Sequence, residues 1–491
     1  MSRDSLVFAR NGVRTETGNV GPGEMLLDYL RLREGSKGTK EGCNEGDCGA
    51  CTIALGSIKN GVLVYEPVNA CIQLLGQIDG KDVITVDDLA TGGKLHPVQQ
   101  AMVDHHGSQC GYCTPGIVMS LFTLYHAGIK VDRAVVNDWL AGNLCRCTGY
   151  RPIADAALAA ISGKARDGLS ARMARTAKQL AGFDDGQDLM IGSAERFFAA
   201  PASIRSLARH CAKHPDATIV SGATDVGLWI NKQLRDLPKI IHTGRASGFA
   251  DITETKGVLR LGAGATYGDA FNSLGDIDPD IMEVLRRLGS KQVRASGTIG
   301  GNIANGSPIG DSPPMLIALG AELELLHGAK KRLLALEKFY VEYGKQDRAR
   351  GELVSAVHVP LLKRGQHFRA YKISKRFDQD ISSVLAAFRI TLAQGKVSEA
   401  RLAFGGMAAT PKRAVNTEKA LLGIRVGDEA AALRAANQME KDFKPLSDMR
   451  ASATYRMQIA KNLLIKAVSE LAGSPAGGTR VSGLRQLEKA R

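Results

Sequence analysis

Eight of the nine cysteines lie before residue 148, in two sets of four soft donors. Cys43, Cys48, Cys51 and Cys71 are separated by four, two and nineteen residues, the spacing of a plant-type [2Fe-2S] site. The intervening stretch Gly42-Cys43-Asn44-Glu45-Gly46-Asp47-Cys48-Gly49-Ala50-Cys51 is rich in small residues. Such a loop can curl so that several backbone N–H groups face the sulfurs of an anionic cluster. Cys110, Cys113, Cys145 and Cys147 form the second set, and their closing Cys-x-Cys is unlike the usual zinc-finger spacing. The first pair precedes a helix expected to take Thr114 as N-cap and Pro115 at its first position. The second precedes a helix opened by Pro152 and running to Ala160. Two helix N-termini can therefore face one anionic cluster. Tetrahedral zinc sites and disulfides are the structural alternatives for both sets, and a reducing compartment disfavours the disulfides.

A second kind of chemistry is offered by small-residue turns. Ala217 to Val220 reads as a strand running into Ser221-Gly222-Ala223-Thr224-Asp225 and then a helix, a geometry that presents backbone N–H groups to phosphate. Ser296-Gly297-Thr298-Ile299-Gly300-Gly301-Asn302, continuing to Asp311, has the same character. Neither segment fits G-x-G-x-x-G, so a Rossmann dinucleotide fold is not supported. Leu261-Gly262-Ala263-Gly264-Ala265 holds a lone G-x-G, which reads as a turn at a strand end with no binding role.

The elements that must position these groups are modular, since 491 residues predict three or four domains. A composition of 44% apolar and 23% charged residues with 55 glycines excludes general disorder. The longest apolar run, Ile117 to Tyr125, falls far short of a membrane span, and Met1 to Gly12 lacks a signal-peptide core. The expected location is the cytoplasm. Residues 1–160 hold 14 basic and 17 acidic residues, net −3, while the remaining 331 hold 50 and 33, net +17. That basic charge is spread without long runs or interleaved aromatics, which argues against nucleic-acid binding and suits anionic nucleotides or an acidic partner.

Leu6 to Thr17 predicts a hairpin about Asn11-Gly12, followed by an amphipathic helix from about Glu24 to Arg33. Residues 163–190, with few large apolar side chains, read as a linker, partly helical or mobile. Beyond it strands such as Thr218 to Val220 and Val258 to Leu261 alternate with helices such as Ser203 to His214, an α/β or α+β domain to about residue 360. A further mixed segment follows, with a helix over Ser452 to Leu471 and a frayed tail from Gly473. There are no internal repeats.

Several residues take structural readings. Cys211 is expected as a half-buried or surface helical thiol, His105-His106 as a solvated helix end, and Trp139 and Trp229 as packing residues. No carboxylate pair, Ser/His/Asp set or Cys/His nucleophile is evident.

Three segments, Glu41 to Thr52, Gln109 to Gly116 (Gln-Cys-Gly-Tyr-Cys-Thr-Pro-Gly) and Asn143 to Tyr150 (Asn-Leu-Cys-Arg-Cys-Thr-Gly-Tyr), carry a resemblance to the iron–sulfur and flavin subunits of the xanthine dehydrogenase group of molybdenum hydroxylases. It runs over nearly the whole chain. The resemblance implies a multidomain α+β chain: a β-grasp ferredoxin-like domain over 1–91 with a cluster on Cys43, Cys48, Cys51 and Cys71, and an all-α four-helix domain over 92–162 with the other on Cys110, Cys113, Cys145 and Cys147. A linker over 163–190, a vanillyl-alcohol-oxidase-like FAD-binding domain over 191–365, a C-terminal α+β flavoprotein domain over 366–472 and a flexible tail over 473–491 follow. In such proteins the helical-domain cluster is nearer the molybdopterin, and the glutamine matching Gln109 lies against that pterin. The resemblance further implies that Ile219, Val220, Ser221, Gly222, Ala223, Thr224, Asp225 and Val226 cradle the FAD diphosphate. Leu288, Thr298, Gly301, Asn302, Asp311, Val354 and Lys372 match further FAD contacts. Leu288 stands where some relatives stack a phenylalanine on the flavin, and Gln379, in the acceptor loop Lys372 to Ile381, where some have an acidic residue.

The implied role is electron transfer from a large molybdopterin-binding partner that hydroxylates xanthine or hypoxanthine, through two [2Fe-2S] clusters to FAD and on to NAD+, within a heterotetramer. No catalytic residue for the hydroxylation is expected in this chain. An aldehyde, nicotinate or other hetero-aromatic hydroxylase would use the same wiring. A zinc-stabilised binding protein is the alternative from another class.

Overall fold

The computed structural model describes residues 2–161 and 165–480. Residue 162 of the expected helical domain, residues 163–164 of the linker and residues 481–491 of the tail lie outside the described residues, as does Met1. The chain divides into two compact units, one formed by residues 1–248 and 289–297, the other by residues 249–288 and 298–491. The expected flavin domain contributes to both.

In the first unit Asn11 and Gly12, both with positive φ (53° and 76°), reverse the chain so that Leu6–Arg10 pairs with Val13–Thr17. Only a turn of this hand matches the twist of two adjoining strands, and Asn-Gly supplies it cheaply. A five-stranded sheet follows in the order Val13–Thr17, Leu6–Arg10, Asp82–Ile84, Thr52–Lys59, Val62–Asn69. The helix expected from Glu24 begins at Leu26 and ends as a π-turn, Tyr29–Arg33. It buries Leu26, Leu27, Tyr29 and Leu30 against Leu6, Phe8 and Ile53, each large side chain contributing about 1.5–3 kcal/mol by leaving water.

Four helices, Pro97–Asp104, Thr114–Tyr125, Arg133–Leu140 and Arg151–Ala160, build the expected helical segment. Thr114–Tyr125 is buried almost throughout, as its apolar run, interrupted only by the small polar Ser120 and Thr123, dictates. Its N-cap is Cys113 and not Thr114, because the Thr114 hydroxyl is engaged with Ser108 Oγ at 2.7 Å. The second helix starts at Arg151, one residue before Pro152, behind Tyr150 in a left-handed conformation.

The linker is more ordered than its composition suggests. Gly168–Ala181 is a helix capped by Asp167, with Leu169, Thr176 and Leu180 buried. Met173 and Ala177 pack on the same core, so a sparse stripe at helical spacing suffices to hold it. A second sheet of this unit contains Phe197–Ala200, Lys239–His242 and Thr218–Val220 as parallel neighbours, and its Phe198, Val220 and Ile240 share a core with the hairpin sheet. Cys211, on the helix Ile204–Lys213, is buried at 1% exposure, deeper than expected, because it lies on that helix's apolar stripe with Leu207 and Ala208.

The second unit has an antiparallel sheet ordered Ile252–Thr255, Val258–Gly262, Leu353–Pro360, Glu322–His327, Lys330–Ala335. A four-stranded antiparallel sheet, Gln366–Ile373, Val384–Ala393, Lys396–Gly405 and Lys412–Arg413, packs on the helix Ala453–Leu471. Ser452 caps that helix through Tyr455 N–H, as its sequence predicts. The segment beyond Gly473 is not frayed as far as Arg480. That guanidinium pairs with Asp280 at 2.7 and 2.9 Å and with Glu470 at 3.0 Å, a charge arrangement that outweighs the entropy of an otherwise polar tail.

Candidate metal centres and flavin loops

The loop bearing Cys43, Cys48 and Cys51 turns through Asn44, Gly46 and Gly49, all with positive φ. It aims the N–H groups of Asp47 and Cys48 at Cys43 Sγ and that of Cys43 at Cys48 Sγ, each at 3.3 Å. The four thiols converge: Cys43 pairs with Cys48 and Cys71 with Cys51, and Cys43 also acts on Cys71 electrostatically. The hydrogen bond from Cys48 pulls the Cys43 thiol down to about 5, while that bond raises Cys48. Cys71 is pushed up by its bond to Cys51 and by burial. Four sulfurs so close cannot all ionise unless a cationic core compensates them. The donor set and the ring of N–H dipoles fit a [2Fe-2S] cluster.

The second set converges likewise. Cys113 meets Cys145 and Cys110 meets Cys147. Burial and the Cys145 contact push Cys113 up to about 12. At Cys145 burial acts upward, but hydrogen bonds from Thr148 and nearby backbone N–H groups win and hold the thiol low. Cys145 N–H donates to Tyr150 Oη at 2.8 Å. Neither adjacent helix has a side-chain cap, which leaves both N-termini to an anion. Cys110 and Cys147 are exposed, Cys113 half-buried and Cys145 buried. Gln109, in the same segment, is exposed.

The two sets are joined directly. Leu144 N–H donates to the carbonyl of Cys48 at 2.9 Å, and Asn143 Nδ2 donates to the next carbonyl, Gly49 O, at 3.1 Å. Gly49 has φ +71°, and a Cβ there would stand 2.1 Å from Gly142 O, so only glycine permits this approach. Tyr112 Oη adds a bond to Glu41 O.

Of the expected flavin residues, Ile219 and Val220 lie on Thr218–Val220, paired with Ile241 and His242. Ser221 to Asp225 form the turn before the helix Val226–Asn231. Ala223 has φ 59°, and among the described residues no protein acceptor takes the N–H groups of Gly222, Ala223 or Thr224, a concave set of donors that fits a diphosphate. Gly222 abuts Ser296 O, 1.9 Å from where its Cβ would be. Burial raises the Asp225 carboxyl. Gln77 Nε2 donates to Ser221 O at 2.7 Å, and Asn231 Nδ2 donates to Cys71 O at 2.6 Å and Asn44 Oδ1 at 3.1 Å. Lys232 Nζ donates to Cys43 O. The end of the helix that follows the turn is thus bonded to the first cysteine set. Sequence reasoning missed Gln77, Asn231 and Lys232, which carry no spacing signal.

In the second unit Thr298 caps Ile299–Asn305 through Gly301 N–H at 3.1 Å, and Asn302 Oδ1 accepts from Ser312 Oγ at 2.9 Å. Asp311 and Lys372 form a buried pair at 2.6 Å, and Ser382 Oγ donates to Asp311 Oδ1 at 2.6 Å and accepts from Lys372 Nζ at 2.9 Å. Val354 is buried in Leu353–Pro360 and Leu288 is half-buried. Arg287, also missed, donates to Phe377 O, Lys372 O and Ser374 Oγ, tying down the loop that contains Gln379. Within Gly262 to Ala265, Ala263 O accepts from Gly300 N–H at 2.9 Å and Ala263 N–H donates to Ser355 O at 3.0 Å.

His96, His126 and Asp167 bring three possible metal donors together. Both Nε2 atoms lie on Asp167 Oδ2, at 2.8 and 2.9 Å. His96 Nδ1 accepts Val98 N–H, so its proton sits on Nε2 and is donated to the carboxylate. The group is a hydrogen-bonded clasp on the helix Gly168–Ala181.

Three family models match the chain: a [2Fe-2S] binding domain over residues 85–158, the FAD binding domain in molybdopterin dehydrogenase over 193–362, and the CO dehydrogenase flavoprotein C-terminal domain over 369–471. The xanthine dehydrogenase of Emericella nidulans is 31% identical across 93% of the chain and 38% of the relative's length. A nicotinate hydroxylase of the same organism is 29% identical across 95% of the chain and 40% of its own length. Among solved structures, a reconstituted CO dehydrogenase from Oligotropha carboxidovorans superposes with TM-score 0.52 and 27% identity, covering 56% of this chain and 97% of that one. The chain spans little more than a third of the curated relatives it matches first. Among the described residues no helix is long and apolar enough to cross a membrane. With two converged cysteine sets and matched iron–sulfur and flavin domains, the chain belongs to the molybdenum hydroxylase family as an electron-transfer portion.

Proposed function

We propose that this chain takes electrons from a molybdopterin-binding large subunit, passes them through clusters at the two cysteine sets to FAD, and delivers them to NAD+. The observation that carries the reading is the bonding of Leu144 to Cys48 and of Cys71 to Asn231, which links the second cysteine set, the first set and the helix that follows the flavin turn. Bound clusters store single electrons and bound FAD exchanges one or two, so a two-electron donor and acceptor can be joined. The chain's own groups hold these cofactors: the eight cysteines the iron, residues 219–226 the diphosphate, and Leu288, Thr298, Gly301, Asn302, Asp311, Val354 and Lys372 the remainder of FAD. Exposed Cys110, Cys147 and Gln109 suit the face toward the molybdopterin partner.

The partner's substrate in this reading is xanthine or hypoxanthine, in purine catabolism, with two of each chain assembled in the cytoplasm. A second reading, an aldehyde, nicotinate or other hetero-aromatic hydroxylase, is favoured by the similarity to a nicotinate hydroxylase. The assembled complex separates them. Anaerobic xanthine should bleach the cluster and flavin absorbance, and NAD+ should restore it. Bleaching by nicotinate or an aldehyde alone would move the substrate to the second reading, and failure of NAD+ to reoxidise the reduced complex would remove NAD+ as acceptor.

A further inference from the structure

The short helix Lys291–Ser296 belongs to the stretch matched by the FAD-binding family model, yet residues 289–297 fold into the first unit with the cysteine sets. Its Gln292 side chain is buried, at 1% exposure. Gln292 Nε2 donates to Asn143 Oδ1 at 2.9 Å, Ser120 Oγ at 3.1 Å and Thr52 Oγ1 at 3.3 Å. Asn143 in turn grips Gly49 O, while the next residue, Leu144, grips the carbonyl of Cys48. The amide cannot be reversed, because its oxygen would then face the Asn143 oxygen. As it stands, Gln292 Oε1 has no hydrogen-bond partner and packs over Gly142, where a Cβ would be 2.2 Å away.

Leaving a buried amide oxygen without a partner is unfavourable. The site tolerates that cost while directing the amide's donor at the residue before Leu144. Two other contacts fix the same turn: Lys291 Nζ lies 4.4 Å over the Trp139 ring, and Ser290 Oγ accepts Val293 N–H. At its far end Ser296 O meets Gly222 of the flavin turn. One turn of helix therefore reaches from the flavin turn to the clamp between the cysteine loops.

We infer that Gln292 is a positioning residue for electron passage between the two cysteine sites, a flavin-domain side chain that completes the Asn143–Leu144 clamp on Cys48 and Gly49. The inference rests on the electron-transfer reading above. Without Gln292, Asn143 Oδ1 keeps only Ser120 Oγ, at 2.6 Å, and the Leu144 to Cys48 bond loses its brace.

The test compares wild type, Gln292→Met, Gln292→Glu and Ser206→Ala in the iron- and flavin-loaded protein. Ser206→Ala removes one part-buried hydrogen bond elsewhere in the first unit, to Asp188, and serves as the control for a merely structural loss. The readouts are the magnetic interaction between the two reduced clusters by electron paramagnetic resonance, the rate of internal electron equilibration, and hydrogen exchange at Leu144. Both Gln292 variants should alter the interaction, slow equilibration about tenfold and speed Leu144 exchange at least tenfold, with Ser206→Ala unchanged in all three. Wild-type interaction and equilibration in either folded Gln292 variant would overturn the inference. If neither variant folds while Ser206→Ala does, wild-type Leu144 exchange decides: protection no greater than that of exposed loop amides overturns the clamp. Absence of two cluster signals in wild type would overturn the electron-transfer reading itself, a separate failure.

Discussion

Leu144 donates its backbone N–H to the carbonyl oxygen of Cys48 at 2.9 Å, so the neighbour of Cys145 and a cysteine of the other set share one hydrogen bond. The two candidate cluster sites therefore lie in contiguous loops, each with its own four cysteines. Cys43→Ser should cost about two iron per chain and one of two reduced-cluster signals, and Cys113→Ser the other signal. Iron analysis with electron paramagnetic resonance checks this; loss of all four iron from either variant would mean the sites do not load independently.

Gly49 is the tightest point of that junction. In Gly49→Ala the left-handed φ and the 2.1 Å approach to Gly142 O both oppose the new methyl, and stability should fall by at least about 2 kcal/mol. The urea midpoint measures the loss, and iron content should fall with it. A midpoint within error of wild type would show that the loop relaxes freely.

The Lys372–Asp311–Ser382 group makes a different demand. Lys372→Met leaves the Asp311 carboxylate buried with only Ser382 Oγ on Oδ1, and breaking such a pair costs about 3–5 kcal/mol. Thermal unfolding should show that loss, and flavin content after gel filtration should drop severalfold. Full flavin retention would remove Lys372 from the FAD contacts.

Asp167 predicts a pH effect. Burial acts to raise its carboxyl, but hydrogen bonds from His126, His96 and Ser170 outweigh burial and hold it well below the usual range. A carboxyl depressed in the folded state contributes stability that is complete above its unfolded value, about 3.9, and is lost as pH falls toward the folded value. Asp167→Asn should destabilise by about 1–3 kcal/mol at neutral pH and flatten the stability profile below about pH 4. Denaturant titrations at several pH values decide it, and a parallel acid limb in the variant would refute the role.

Features set by neighbours in sequence were legible. The Asn11-Gly12 hairpin, the Ser452 cap and the two cysteine sets each follow from local spacing. What escaped depends on distant partners. Asn231 and Gln292 are ordinary polar residues in short helices, and only folding brings them to Cys71 and Asn143. The linker read as partly helical or mobile, and how firmly Gly168–Ala181 is held was hidden because Leu169, Met173 and Leu180 are interleaved with charge; the order of the tail was hidden because Arg480 finds Asp280 two hundred residues away. The FAD contacts rest on family resemblance, since small-residue turns alone are common.

The central proposal, two clusters wired to a flavin, is tested most directly by iron, acid-labile sulfide, zinc and flavin content of the purified chain, with spectra before and after dithionite. About four iron, four sulfide and one FAD per chain, bleaching on reduction, is the expected result. About two zinc with no sulfide or flavin would contradict it.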